Sequence, residues 1–218
     1  MKREIIITSD GSTTIHLPDW DEQYHSKHGA IQEAYHVYIN NGLKAIEKEE
    51  ISILEIGFGT GLNCFITYLE SENKAIDYVG VEAYPVKPEE VVSMNYVSEL
   101  KAENKKMIFK EIHDCIWEEK HIISDKFSLT KQQRFFSEIE AVNKYDLIYF
   151  DAFGPEKQPE LWTKSIFDKM YTALKPNGIL VTYASKGDVK RAMRSSGFSL
   201  KRLPGPLGKW HMLRATKI

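Results

Sequence analysis

The chain has 218 residues, a mass of 25.2 kDa and a formal net charge of −2 at pH 7, with 42% hydrophobic and 28% charged residues. This composition is typical of one globular domain, and no apolar run approaches the length that spans a bilayer. The apolar stretch near the start of the chain is too short for a signal peptide. Cys64 and Cys115 do not form a motif with the spacing of metal ligands. We therefore expect a cytoplasmic, metal-free protein with a single domain over residues 1–218.

Strand-like and helix-like patterns alternate along most of the chain, which is typical of an α/β protein with a mostly parallel sheet. The pattern predicts an N-terminal extension over 1–45, which begins with a β-hairpin around Asp10-Gly11, and a Rossmann-like core over 46–218. Core strands are predicted at 51–56, 78–82, 107–111, 146–150, 179–184, 198–203 and 210–216, and helices at 61–70, 88–102, 131–142, 160–174 and 187–196. The short link 204–209 predicts an antiparallel hairpin between the last two strands. The stretch 115–134 is longer than a simple connection needs and is predicted as an insertion; disorder is the alternative.

The first core strand ends in a glycine-rich loop. Residues 51–56 are apolar except for two polar positions, and Gly57-Phe58-Gly59-Thr60-Gly61 follows directly. Glycines at this spacing let the backbone turn tightly and approach a ligand closely. The dinucleotide fingerprint G-x-G-x-x-G is not met, because Leu62 follows Gly61, and there is no phosphate-binding G-x-x-x-x-G-K-[ST] motif. The loop therefore indicates an S-adenosylmethionine (SAM) methyltransferase.

The next strand ends in a carboxylate. Glu82 closes the apolar stretch 78–82 and lies about 20 residues beyond the glycine loop, where an acidic side chain can accept hydrogen bonds from ribose hydroxyls. The alternative is an ordinary strand-end glutamate facing water. The glycine loop upstream favours the ribose role.

A third strand end carries the residues that we expect to serve the chemistry. Asp151 follows the apolar strand 146–150 and should lie next to the first strand, facing the methyl group of the cofactor. If the acceptor is an amine, Asp151 would bind and orient it and stabilise the cation formed after transfer. Aromatic side chains at Tyr24, Phe153 and Trp162 would favour cationic groups through their π faces. The alternative role for Asp151 is capping of a helix.

Positive charge is concentrated at the C-terminal end. From Lys186 onward the chain carries nine Lys or Arg residues and one acid, a net +8, so residues 1–185 carry −10. Such asymmetry is typical of a protein that binds a polyanion at one edge of its fold. A solvated helix face next to a lysine-guarded edge strand is the alternative.

Several stretches together resemble the MnmD family of tRNA wobble-uridine methyltransferases, equivalent to the methyltransferase half of the bifunctional protein MnmC. The stretches that carry the resemblance are Asp10-Gly11-Ser12, 24–30, Glu33, 36–39, 55–63, Asp151-Ala152-Phe153-Gly154-Pro155, 158–162 and Pro204-Gly205-Pro206. The resemblance implies a class I SAM-dependent methyltransferase fold. It also implies N-methylation of 5-aminomethyl-2-thiouridine at tRNA position 34, giving 5-methylaminomethyl-2-thiouridine.

The resemblance assigns residues to each part of that reaction. SAM would be held by Glu55, Gly57, Gly59, Thr60, Gly61, Asn63 and Glu82, and tRNA phosphates by Lys186, Lys190, Arg191, Arg194 and Lys209. The splayed anticodon base would enter a pocket near Tyr24, Phe153 and Trp162. No FAD is expected, because the oxidase half of the bifunctional protein is missing, and another enzyme would have to hand over the aminomethyl substrate.

The chain departs from the family at two places, and two other functions remain open. Arg134-Phe135 stands where an acidic residue is expected before a helix, so Phe135 is predicted to pack on the adenine instead. Trp210-His211 replaces an expected Arg-Glu pair at the substrate mouth. An aminopropyltransferase of the spermidine-synthase type shares a glycine loop and an aspartate before Gly-Pro, but it would expect G-G-G-D-G. A non-catalytic SAM- or tRNA-binding protein is the other alternative.

Overall fold

A computed structural model describes residues 2–71 and 73–218, which form two sheets with helices on both faces of the larger one. The strands are β1 Glu4–Ile7, β2 Thr13–Leu17, β3 Glu22–Gln23, β4 Glu50–Ile56, β5 Ala75–Val81, β6 Lys120–Ser124, β7 Phe127–Gln132, β8 Tyr145–Phe150, β9 Leu174–Thr182, β10 Phe198–Pro204 and β11 His211–Lys217. The α-helices are α1 Ala30–Ala34, α2 Leu62–Glu70, α3 Pro88–Val92, α4 Tyr96–Glu99, α5 Lys106–Asp114, α6 Lys164–Ala173 and α7 Gly187–Ser195. A π-helix, Tyr35–Asn40, continues α1.

The large sheet has eight strands in the order β10-β11-β9-β8-β4-β5-β7-β6. The pairs β9-β8, β8-β4, β4-β5 and β5-β7 are parallel, whereas β11 and β10 pair antiparallel at one edge and β6 does so at the other. The prediction of a mostly parallel, Rossmann-like sheet with an antiparallel C-terminal hairpin is confirmed. Because the chain leaves β4 toward β5 and later returns to β8 on its other side, the ligand crevice should open at the carboxyl ends of β4 and β8.

Successive residues of the central strands point to opposite faces, so each face has its own core. Ile53 and Leu147 pack with α2 and α5 on one face, and Leu54 and Ile148 pack with α6 and α7 on the other. Both faces of a parallel sheet are covered in this way, which explains why its strands are almost continuously apolar. The sheet ends are thereby held rigidly, and the loops at the carboxyl edge are free to carry polar side chains.

The N-terminal hairpin prediction is confirmed. Strands β1 and β2 pair antiparallel, β3 adds to β2, and Gly11 has the left-handed φ of +86° that the turn requires. The segment that follows buries Ala30, Val37 and Tyr38 against the core. The extension therefore covers one face of the sheet next to its carboxyl edge.

Two predicted elements between β5 and β8 are wrong. Residues 107–111 belong to helix α5 rather than a strand, because Phe109 and Ile112, three positions apart, face the core and Met107 is exposed. Residues 131–142 hold the end of β7 and one 3₁₀ turn, Phe136–Glu138, rather than a helix. Phe136 and Ile139 are both buried at a spacing that a single turn satisfies as well as a helix does.

The stretch 115–134, predicted as an insertion, instead supplies two strands of the central sheet. Strand β7 pairs parallel with β5 from Phe127 to Gln132, and β6 returns antiparallel along it. The predicted helix 88–102 is also shorter than expected, since it is divided into α3 and α4. Over the described residues, no helix is long and apolar enough to cross a membrane.

Candidate active site

The glycine loop joins β4 to α2 and lies against the end of β8. Gly57, Gly59 and Gly61 all have positive φ, at +85°, +49° and +71°. A Cβ atom at Gly57 would lie 2.5 Å from the carbonyl oxygen of Asp151, so any larger residue would push the two strand ends apart. The loop therefore brings bare backbone and the Asp151 carboxylate to the same edge of the sheet.

A cavity of about 1320 Å³ opens at this edge, between the glycine loop, the ends of β5 and β8, and the N-terminal extension. Pockets for single small molecules are usually about 300–1,000 Å³. The cavity therefore has room for a cofactor and part of an acceptor. The predicted site residues on its wall are Tyr24, Gly57, Gly59, Asn63, Glu82, Phe135, Asp151 and Phe153.

Asp151 sits where β8 ends, with its side chain on the cavity wall. One carboxylate oxygen accepts a hydrogen bond of 2.8 Å from Asn63 Nδ2, and its backbone N–H donates to Ile56 across the β4–β8 junction. Burial raises the pKa of Asp151 to about 7, while the nearby Tyr38 hydroxyl and Asn63 amide counteract part of that rise. A carboxyl group with this pKa can take up or release a proton near neutral pH.

Glu55, predicted to bind the cofactor, does not reach the cavity. It is fully buried, and its two oxygens accept hydrogen bonds from Asn63 Nδ2 at 2.9 Å and from the Tyr78 hydroxyl at 2.8 Å. Burial raises its pKa well above the usual range. Glu55 therefore acts behind the wall, fixing the Asn63 amide that also donates to Asp151.

Thr60 and Gly61, predicted with the cofactor residues, also lie behind the wall. The Thr60 hydroxyl accepts a hydrogen bond of 3.0 Å from Tyr96, which joins the glycine loop to α4. Gly61 directly precedes α2, and a Cβ atom there would lie 3.0 Å from His113 Nε2. These residues shape the loop rather than line the cavity.

Glu82 follows β5 and faces the cavity. Its carboxylate accepts hydrogen bonds from the backbone N–H groups of Gly59 at 3.1 Å and Tyr84 at 2.9 Å, one on each oxygen. A carboxylate has about four acceptor positions, so each oxygen keeps capacity for a hydroxyl donor. The contact with Gly59 also ties the glycine loop to the end of the neighbouring strand.

Aromatic side chains stand beside Asp151. Phe153 meets Tyr24 and Trp20 edge to face, with ring centroids 5.1 and 6.0 Å apart, and all three line the cavity. Trp162, predicted in this pocket, is only 4% exposed and lies behind it, where its indole N–H donates to the Phe153 carbonyl at 2.7 Å. Trp20 takes the position that the sequence assigned to Trp162.

The other end of the cavity is also aromatic. Phe135, 53% exposed, and Tyr84 lie edge to face at 6.1 Å, and both line the cavity beyond Glu82. Arg134 is turned toward Glu118, with which it forms an ion pair at 2.9 Å. Phe135 is therefore free to contact a flat ligand, as the sequence predicts for an adenine ring.

A sequence model for a family described as S-adenosyl-L-methionine-dependent methyltransferase matches residues 97–218, more than half of the chain. The chain belongs to this methyltransferase family. S-adenosylmethionine is therefore its cofactor, as the glycine loop predicts.

Relatives with curated names agree with this membership. The tRNA 5-methylaminomethyl-2-thiouridine biosynthesis bifunctional protein MnmC of Pseudomonas fluorescens is 27% identical over 225 residues, covering 90% of this chain and 34% of that protein. The protein of the same name from Leptospira interrogans is 31% identical over 209 residues, covering 89% of this chain and 32% of that protein. The chain thus spans about a third of the length of these curated relatives.

Solved structures share the fold. MNMC2 from Aquifex aeolicus superposes with a TM-score of 0.79 and 24% identity, covering 100% of this chain and 70% of that one. Spermidine synthase from Thermotoga maritima gives a TM-score of 0.58 with 14% identity, covering 100% of this chain and 75% of that one. Both therefore share the overall fold of this methyltransferase.

The described residues fit the cofactor. Gly57 and Gly59 offer a backbone surface without side chains, and Glu82 offers free acceptor positions for ribose hydroxyls. Asn63 Oδ1 is buried and has no partner among residues 2–71 and 73–218, so it can accept a hydrogen bond from a cofactor amino group. Within the same ranges, no cluster of three or more His, Cys, Asp or Glu side chains could hold a metal ion.

The predicted phosphate-binding residues divide into two groups. Lys186, Lys190, Arg191 and Arg194 lie on or next to α7, where Lys186 pairs with Glu156 and Arg191 with Asp188. In the part of the chain that the structure describes, Lys190 and Arg194 have no ion-pair partner. Lys209 differs, because its ammonium pairs with Glu33 and lies 4.1 Å from the centroid of the Tyr183 ring.

Three contacts of this methyltransferase were missed from the sequence. Trp20 lines the cavity, and His25 Nδ1 lies 3.0 Å from the Thr14 hydroxyl, joining the N-terminal hairpin to the cavity wall. Phe58 covers Gly80, where a Cβ atom would lie 2.2 Å from its ring. In the sequence, Gly80 stands among larger residues of a predicted strand, and such a glycine indicates that another group packs closely against the strand.

Proposed function

We propose that this methyltransferase transfers a methyl group from S-adenosylmethionine to the amine of 5-aminomethyl-2-thiouridine at tRNA position 34, giving 5-methylaminomethyl-2-thiouridine. Curated relatives that carry a homologous segment are named for the biosynthesis of that nucleoside. Because the chain spans about a third of their length, we propose for it only the methyl-transfer step.

The observation that carries this proposal is Asp151 at the end of β8, in a cavity that aromatic side chains also line. Phe153, Tyr24 and Trp20 line the same cavity as its carboxylate, and aromatic rings favour cationic groups. The Arg3 guanidinium already lies 5.8 Å from the centroid of the Tyr24 ring. An aminomethyl group arrives as an ammonium ion and must lose a proton before its nitrogen can attack. With its pKa raised to about 7, Asp151 is a stronger base than an ordinary aspartate and is suited to accept that proton.

The chain's own residues then have distinct roles. When bound, S-adenosylmethionine supplies a methyl group on a positively charged sulfur, which keeps the electron pair of the carbon–sulfur bond as the nitrogen–carbon bond forms. Asn63 holds the Asp151 carboxylate at 2.8 Å, and the aromatic walls exclude water and orient the acceptor. The methylated nitrogen carries a positive charge after transfer, which the ring faces stabilise.

A tRNA partner suits the charge of the surface beside the cavity. Helix α7 begins at the same edge of the sheet as Asp151, and Lys186 at its start pairs with Glu156 of the loop that follows β8. Lys190, Arg191 and Arg194 would contact phosphates around the anticodon and supply affinity rather than sequence choice. Such a substrate would be met in the cytoplasm, and the aminomethyl group would be handed over by the enzyme that makes it.

The test is transfer of tritium from methyl-labelled S-adenosylmethionine to two tRNA preparations, one bearing 5-aminomethyl-2-thiouridine and one lacking the aminomethyl group. We expect label only in the first, with nucleoside mass analysis placing the methyl group on the amine. The Asp151→Asn variant, with cofactor binding measured in parallel, is the matched control. Cofactor binding without label in either tRNA would exclude this acceptor, and polyamines with decarboxylated S-adenosylmethionine would be tested next.

A further inference from the structure

Lys209 is the one predicted phosphate contact that the structure turns inward. It lies in the loop between β10 and β11, and its ammonium forms an ion pair with Glu33 of α1. Glu33 is only 8% exposed and also accepts a hydrogen bond of 3.0 Å from the Ser26 N–H. Removing a carboxylate from water costs free energy that a surface role would not require. A phosphate contact at the surface therefore does not explain why the carboxylate of this ion pair is buried.

The β10–β11 loop is held rigidly where it presents Lys209. Inside the loop, Gly205 N–H donates to the Trp210 carbonyl at 3.1 Å and Lys209 N–H donates to the Pro206 carbonyl at 2.9 Å. A second tether joins it to the N-terminal extension, since His36 Nε2 lies 2.9 Å from the Pro204 carbonyl. The backbone that carries Lys209 is thus held in place, and the ion pair with Glu33 positions the ammonium group.

Contacts lead from this pair to the reaction site. Lys209 Nζ lies 4.1 Å from the centroid of the Tyr183 ring, and the Tyr183 hydroxyl donates to the Ala152 carbonyl at 2.8 Å. Ala152 directly follows Asp151. The ring that carries the cation therefore also fixes the peptide next to the catalytic carboxylate.

Six elements bring polar groups to Asp151. Two are tyrosines, Tyr38 of the π-helix and Tyr183 after β9, and burial raises the pKa of both well above the usual range, so both stay neutral. Asn63 of α2 is uncharged. The charged groups are Glu33 of α1 and Lys209, which act on the carboxylate in opposite directions.

Glu55 of β4 is the remaining titratable neighbour. Burial raises its pKa well above the usual range, so its charge is suppressed, and it meets Asp151 through the shared Asn63 amide. Arg3, Glu82 and Lys157 line the same cavity as Asp151, whereas Glu33 and Lys209 lie outside its lining and act on the carboxylate from behind the wall.

We infer that Glu33 and Lys209 form a positioning pair that sets the proton affinity of Asp151, so that its carboxylate can take the proton of the substrate ammonium before methyl transfer; this rests on the proposed amine methylation. Glu33 disfavours a second negative charge nearby and makes Asp151 a better base. Lys209 limits that effect, so that Asp151 is not permanently protonated. The balance requires both charges, which explains why a rigid loop and a helix of the extension meet here.

The two charges make opposite predictions. In Lys209→Gln, Glu33 acts without a counter-charge, and the pKa of Asp151 should rise by about one pH unit. In Glu33→Gln, Lys209 acts alone, and the pKa should fall by about the same amount. The double variant should return close to the wild-type value, and Lys209→Arg, which keeps the charge, should also remain close to it.

The measurement is the titration of Asp151 itself, by NMR of protein labelled with ¹³C at aspartate side-chain carboxyls. The signal is assigned by its absence in Asp151→Asn. Because this titration needs no tRNA, it tests the role of the Glu33–Lys209 pair independently of the proposed acceptor. Opposite shifts in a protein that methylates no tRNA would refute the proposed acceptor and leave the pair's role standing.

A second readout distinguishes the pair from a phosphate contact. Under our inference, Lys209→Gln leaves the salt dependence of tRNA binding unchanged, whereas the loss of a phosphate contact would lower the slope of log K against log salt by about 1. Unshifted or parallel titrations in the two single variants, or a lowered slope with an unchanged Asp151 titration, would overturn the inference.

Discussion

Strand β8 carries an aspartate near each end, and the two have opposite properties. Asp146, at the amino end, is 2% exposed and accepts hydrogen bonds from Lys48 at 2.6 Å, from Lys175 at 2.7 Å and from Ser52. Hydrogen bonds from Lys175, Lys48 and Ser52 outweigh the effect of burial and hold its pKa well below the usual range. Burial instead raises the pKa of Asp151, at the carboxyl end, to about 7.

The pKa values of the two aspartates differ because different hydrogen-bond donors surround their carboxylates. Both carboxylates are shielded from bulk water, Asp151 less completely because it lines the cavity. Two lysines form ion pairs with Asp146, whereas Asp151 accepts a hydrogen bond from the Asn63 amide and has no ion-pair partner among the described residues. A fully compensated carboxylate stabilises the fold and has no proton to exchange near pH 7. An incompletely compensated one costs stability when ionised but can take part in chemistry.

The largest expected effect follows from neutralising the carboxyl-end aspartate. Asp151→Asn should lower methyl transfer by about 10²–10⁴-fold, because the proton acceptor is lost, while cofactor affinity changes little. Single-turnover transfer and equilibrium binding of the cofactor would measure the two quantities. Asp146→Asn is the matched control and should keep most of the activity in the folded protein. Near-normal transfer by Asp151→Asn would show that Asp151 is not the proton acceptor of the reaction.

The pH dependence of the reaction should report the raised pKa. As the pH falls below about 7, Asp151 becomes protonated, and kcat/KM should fall by about tenfold per pH unit. The profile between pH 5.5 and 8.5 would show this limb in the wild-type enzyme. The residual activity of Asp151→Asn should not show this fall in kcat/KM at acidic pH. A fall with the same midpoint in that variant would mean that another group titrates.

Stability should respond with opposite signs at the two ends. The lowered pKa of Asp146 means that its ionised form stabilises the fold above about pH 4 and that this contribution is lost on further acidification. Ionisation of Asp151 instead costs stability as the pH rises from about 4 to 7. At pH 8, Asp146→Asn should therefore lower Tm by about 4 °C, while Asp151→Asn should leave it unchanged or higher. Equal losses of Tm in a thermal scan would contradict the comparison.

The smallest effect concerns the basic surface at the Asp151 edge. Replacing Lys190 and Arg194 by Glu should weaken tRNA binding by about fivefold at 0.15 M salt and lower the salt slope by about 2. Lys120→Glu with Lys126→Glu, at the Asp146 edge, makes the same change in net charge and serves as the control. If both pairs of substitutions weaken binding equally, only net charge matters and α7 is not the contact surface.

The sequence by itself determined most of the sheet, because apolar strands and the residues that follow them are local patterns. The glycine loop, Glu82 and Asp151 could be located without coordinates, since parallel strands bring their carboxyl ends to one edge. Where the pattern was ambiguous, the prediction was wrong. The apolar run at 107–109 resembled a strand, but packing selected Phe109 and Ile112 as one helix face, so the strand paired with β5 lies at 127–132.

Only the tertiary structure decided which polar side chains face the cavity and which support it. Glu55 and Asn63 are eight residues apart and Asp151 is far along the chain, yet one amide joins both carboxylates. Trp20 rather than Trp162 lines the cavity, and Lys209 meets Glu33 across 176 positions of sequence instead of projecting outward. Such contacts depend on the relative placement of distant elements, and local propensity contains no information about that placement. The pKa of Asp151 is likewise a property of its neighbours in space rather than of its position in the sequence.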